Sequence, residues 1–166
     1  MLFRSVENLT GSNAADAVTL AGAVSGVSLD LGAGADALQL AAGTNTLAAS
    51  GVETITGTDS ADSLSLTTAQ NGTTINLGAG SDALTLASGT NNVTLSGVET
   101  VTGGTGADAV TLAGNVSSAT VALGAGTDAL NIAAGSNTLA ASGIETIDRK
   151  STRLNSSHGY ISYAVF

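Results

Sequence analysis

Six aspartates are the residues of this chain best suited to chemistry. Asp16, Asp62 and Asp108 recur at intervals of 46 residues, as do Asp36, Asp82 and Asp128. Each lies in a stretch of small residues rich in glycine. One such stretch reads GGTGADAVT over 103–111, and the others include LGAGADALQ, LGAGSDALT and LGAGTDALN, beginning at Leu31, Leu77 and Leu123. A carboxylate beside glycines, whose carbonyls are free to turn, supplies the hard oxygen donors that a divalent cation prefers. The competing reading is an Asx turn, in which the aspartate bonds its own backbone.

The rest of the composition narrows the partners. Between Val6 and Ile147 there is no Lys, Arg, His, Cys, Met, Pro or aromatic residue, whereas twelve of the thirteen acids lie in that span. Such a block makes no salt bridge and repels nucleic acid and anionic membrane surfaces; cations are its natural partners. No apolar run approaches the roughly 18 residues of a membrane span. A phosphate cradle at the GxG corners fails, because neither a lysine nor a helix follows them. Catalysis is not expected either. Nearly every carboxylate recurs in register, Asp30 and Asp59 excepted, and nothing cationic or aromatic is present to bind a substrate.

The two ends depart from this composition. LFRS at 2–5, and the tail DRKSTRLNSSH followed by ISYAVF, resemble translated sequencing-adapter sequence. Residues 1–5 and 148–166 are therefore read as non-native flanks, the tail as disordered, and 6–147 as one repeat domain.

The elements that must position the aspartates are short strands. Glu7, Glu53, Glu99 and Glu145 also fall 46 apart, as do Asn45, Asn91 and Asn137, which defines repeats 6–51, 52–97 and 98–143. Within a repeat, Leu20, Leu29, Leu38 and Leu47 are spaced by nine, the length of a strand plus a tight turn. Segments such as VSLDL alternate aliphatic with polar residues, so one face is buried. The expected fold is all-β: a parallel β-roll or β-helix solenoid, right-handed, its core a column of Val, Leu and Ile, about eight coils and on the order of 40 Å long.

In a two-sided roll, alternate corners share an edge. Asp16 then stacks on Asp36, Asp62 on Asp82, and Asp108 on Asp128, the pairs switching edge from one repeat to the next because five corners is an odd number. Two wider, three-sided coils per repeat would realign these columns. In this scheme Val27, Thr73 and Ala119 take the aspartate slot of one corner, the asparagines tolerate left-handed corners, and the glutamates lie on a solvated face.

The nonapeptides just quoted resemble those of the RTX, or haemolysin-type, calcium-binding repeat family. The likeness is strict only at 103–111, since Leu31, Leu77 and Leu123 replace the first glycine elsewhere. It implies calcium held between stacked corners, here by Asp16, Asp36, Asp62, Asp82, Asp108 and Asp128 with the carbonyls of Gly104, Gly106, Gly124 and Gly126. Only two of five corners per repeat keep the aspartate, so fewer and weaker sites than in a full array are implied. The resemblance further implies a segment of a large secreted or surface-exposed bacterial protein that folds on meeting extracellular calcium. The alternative is a calcium-independent spacer or adhesin stalk. Open solenoid ends also make end-to-end self-association an expectation.

Overall fold

The computed structural model describes residues 7–149, which form sixteen strands and no helix, hence no helix long and apolar enough to cross a membrane. In chain order they are β1 (Asn8–Ser12), β2 (Ala17–Thr19), β3 (Ser25–Gly32), β4 (Ala37–Gln39), β5 (Thr46–Ser50), β6 (Thr54–Thr58), β7 (Ser63–Leu66) and β8 (Asn71–Gly78), followed by β9 (Ala83–Thr85), β10 (Asn92–Ser96), β11 (Thr100–Thr102), β12 (Ala109–Leu112), β13 (Ser117–Ala122), β14 (Ala129–Ile132), β15 (Thr138–Ser142) and β16 (Thr146–Arg149). The odd strands make one eight-stranded sheet and the even strands the other. Every pairing is parallel, for example Leu47↔Leu64 in the first sheet and Leu38↔Ile55 in the second. The chain is a β-solenoid with two strands per coil. Seven turns carry each sheet from its first strand to its last, about 34 Å at about 4.8 Å per turn.

The period-2 pattern explains the burial. In β3, Val27, Leu29 and Leu31 point inward while Ser28, Asp30 and Gly32 face out. Stacking then lines up like with like: Leu64, Leu84, Val101 and Val121 form one inward column, and Ile55, Ile75, Leu95, Leu112 and Ile132 another. All belong to one continuous aliphatic core. Fully burying one such side chain is worth about 1.5–3 kcal/mol, so the core compensates for the absence of aromatic residues.

Five strands per 46-residue repeat make the repeats swap sheets: β2, β7 and β12 are equivalent in sequence, yet β7 lies in the sheet opposite the other two. The two-sided alternative is the one observed. The step of nine is an average, because successive turns advance by 20 residues (Leu64↔Leu84) or by 17 (Leu84↔Val101).

Two corner assignments are corrected. Val27, Thr73 and Ala119 are buried strand residues, not corner residues. The corner lies three positions earlier, at Val24, Gln70 and Val116: two because Val27, Thr73 and Ala119 are themselves the first inward residues, and one because the register shifts at the start of β3, β8 and β13. Leu31, Leu77 and Leu123 are likewise wholly buried and belong to the core, not to the turns. The last strand, β16, runs through Asp148 and Arg149. Residues 1–5 and the remainder of the tail lie outside the described residues.

Each register shift needs a left-handed residue. Gly26 and Gly72 supply it with φ of 70° and 82°, but the third repeat has Ser118 there at φ 64°. A Cβ at Gly26 or Gly72 meets nothing within 4 Å, so Ser118 bears backbone strain and no clash. Replacing Ser118 by Gly is expected to raise the urea midpoint, by up to about 1 kcal/mol of stability. The reverse change, Gly72→Ser, should lower it by a similar amount.

Candidate metal centre along the two edges

The corners that precede even strands form one edge, and those that precede odd strands form the other. On the first edge the slot residues run Asp16, Asp36, Glu53, Gln70, Asn91, Asp108, Asp128, Glu145; on the second they run Glu7, Val24, Asn45, Asp62, Asp82, Glu99, Val116, Asn137. Asp16 and Asp36, Asp62 and Asp82, and Asp108 and Asp128 are neighbours in these columns, on alternating edges, as two-sided stacking requires.

One hydrogen-bond rule builds the columns: a slot side chain that is Asp, Asn or Glu accepts the backbone N–H of the same slot one coil back. Asp36 Oδ1 accepts from Asp16 N (2.7 Å), Asp82 Oδ1 from Asp62 N (2.7 Å) and Asp128 Oδ1 from Asp108 N (2.8 Å). Asn45, Asn91 and Asn137 accept in the same way from Val24, Gln70 and Val116. The asparagines therefore cap amides. None has a positive φ, contrary to the left-handed role expected of them. Their side-chain amides add a second bond, Asn45 Nδ2 to Asp62 Oδ1 (2.9 Å) and Asn91 Nδ2 to Asp108 Oδ1 (2.8 Å).

Three of the four glutamates cap amides, and a solvated-face reading misplaces two of them, Glu53 and Glu99. Oε2 of Glu53, Glu99 and Glu145 accepts the N–H of Asp36 (2.7 Å), Asp82 (2.8 Å) and Asp128 (2.6 Å). Glu53 and Glu99 are half-buried; Glu145 is exposed, as is Glu7. The signal for these caps was present as intervals of 17, Asn45 to Asp62 and Asp82 to Glu99. Those intervals gain meaning only once coil lengths are known. Asp30 and Asp59 stay outside the columns: Asp30 bonds Gly32 N locally, and Asp59 is exposed.

What the columns leave undone defines the site. Oδ2 of Asp36, Asp62, Asp82, Asp108 and Asp128 is buried without a hydrogen-bond partner. A buried carboxylate oxygen with neither donor nor counter-charge is costly, and here it recurs in all three repeats. Asp82 registers the strain. Burial pushes its carboxyl up to about 6, the bond from Asp62 N–H holds it down, and the charges of Glu99 and Asp62 push it up further. Among the described residues no three acidic side chains converge on one point. The carboxylates lie along a line, so an ion would meet two adjacent rungs and complete its shell with water.

The four glycines of the third pair face each other across one coil step. A Cβ at Gly124 would fall on Gly104 O, and one at Gly126 on Gly106 O. Gly104 O already accepts Ala125 N (3.1 Å), and Gly106 N donates to Ala125 O (2.8 Å). These glycines thus let the coils close up as well as giving the corner its shape. No protein-family model, curated protein or solved structure matches this chain.

Proposed function

We propose that the chain is a structural β-solenoid segment of a large secreted or surface-exposed protein, and that its carboxylate columns take up calcium ions. The observation that carries the reading is the set of five buried, unpartnered Oδ2 atoms, on the adjacent rungs Asp62–Asp82 and Asp108–Asp128 and on Asp36, in a block with no basic residue; Asp16 differs, its Oδ2 accepting from Ser12 N and Oγ. A bound water, a proton or an external cation can satisfy them, and of these the cation alone also neutralises stacked carboxylates without titrating them. The resemblance to RTX repeats points to calcium as that cation. Binding free energy then adds to folding free energy, so the segment is least stable where calcium is scarce and stiffens in an extracellular, calcium-rich medium.

The test is the thermal midpoint of the full chain, followed by far-UV circular dichroism in chelator, in millimolar calcium and in magnesium at matched ionic strength. Calcium is expected to raise the midpoint well above both controls. Equal midpoints in all three would replace this reading with the calcium-independent spacer. That second reading has its own support: every Oδ1 cap and the whole aliphatic core are complete without an ion.

A further inference from the structure

We infer that Glu53, Glu99 and Glu145 form, with Asp36, Asp82 and Asp128, a second set of cation positions distinct from the Asp–Asp pairs. The inference rests on the reading that the columns bind cations, and it changes where the ions sit. Each column segment runs Asp, Asp, Glu, and its members are not equally served. Asp62 and Asp108 each receive two donors on Oδ1, from the backbone and side chain of Asn45 and of Asn91. The middle acids Asp36, Asp82 and Asp128 receive one donor each on Oδ1.

The middle acid is also the one with a carboxylate on both sides, an aspartate one coil back and a glutamate one coil on. It is 0–1% exposed in all three repeats, with Oδ2 unpartnered. The glutamate side chain reaches that same corner, because its Oε2 is held by the amide of the middle acid. Hydrogen-bond donors are therefore fewest between the middle aspartate and the glutamate, where an oxygen-seeking divalent cation has the fewest competitors. Glu7 shares the repeat position but is exposed and caps nothing among the described residues, which makes it an internal control.

The triple variant Glu53→Gln, Glu99→Gln, Glu145→Gln keeps a side-chain oxygen for each amide cap while removing the charge. Equilibrium dialysis of the full chain against radioactive calcium should show affinity at these positions weakened at least about tenfold. Glu7→Gln should bind like the parent chain. Circular dichroism in chelator checks that the triple variant stays folded. If it does not, Glu145→Gln alone, at an exposed position, should still lose one ion. Unchanged binding by the folded variants overturns the glutamate positions and leaves the Asp–Asp pairs standing. A parent chain that binds no calcium overturns both.

Discussion

Gly103→Ala should destabilise the solenoid by at least about 3 kcal/mol, lowering the thermal midpoint by roughly 10 °C. Gly103 opens the stretch GGTGADAVT, and its φ lies outside the left-handed region, so conformation does not demand glycine there. Space does. A Cβ at Gly103 would fall on the carbonyl of Leu123, with Leu123 C at 2.6 Å and Cα at 2.7 Å. These are backbone atoms of a wholly buried residue in the adjoining coil, and no rotamer can move them aside. The equivalent glycines Gly11 and Gly57 meet the carbonyls of Leu31 and Leu77 in the same way. An alanine must therefore wedge β11 from β13, whose register begins at Thr100↔Thr120. Because solenoid coils are stabilised through their neighbours, the wedge should also split cooperativity. Amide protection is expected to fall in β11 to β16 before it falls in β1 to β8. Gly114→Ala is the control: a Cβ there meets nothing within 4 Å, and the change should be neutral or stabilising by about 0.4–1 kcal/mol. Equal losses in the two variants would refute the close-approach argument.

The glycine doublet thus has a packing role that a motif match does not reveal. Much else was legible. Alternation in segments such as VSLDL predicted which residues point inward, and an odd number of corners per repeat predicted the change of sheet from β2 to β7. Register defeated the sequence argument in particular places. A constant repeat of 46 conceals turns of 17 and 20 residues, and an inward residue at Val27 together with a one-residue shift at Gly26 puts the corner at Val24. From the spacing alone, Glu99 and Asp82 look unrelated; 17 residues is one short coil, and their hydrogen bond follows from it. The carboxylate pairs could be foreseen because equal coils suffice to align them. Their burial could not, since an aspartate in a turn is ordinarily exposed.

That burial gives Asp82 a contribution to stability that runs opposite to the usual acid response. In chelator, this contribution should be larger near pH 4.5 than near pH 7.5, whereas most folded proteins lose stability as carboxylates protonate. The sign follows from Asp82. Its folded pKa is about 6 against an ordinary 3.8, so the folded state holds this proton more tightly than the unfolded chain does. The associated stability is fully present below about 4 and is lost as pH rises through about 6. The proton does what a cation would do: it removes one of three stacked charges, Asp62, Asp82 and Glu99, and lets the buried oxygen act as a neutral group. Asp82→Asn should imitate it. The amide oxygen still caps Asp62 N–H, the charge is gone, and the chelator midpoint at pH 7.5 should rise while its change between the two pH values shrinks. Calcium should narrow the same gap from the other side, since it acts only once the carboxylates have ionised. Urea midpoints at the two pH values, with and without calcium, for the parent chain and Asp82→Asn check all of this. An Asp82→Asn chain whose stability changes between the two pH values as much as the parent's would show that the Asp82 carboxylate is compensated in the folded state, and with it would go the case for a cation at that rung.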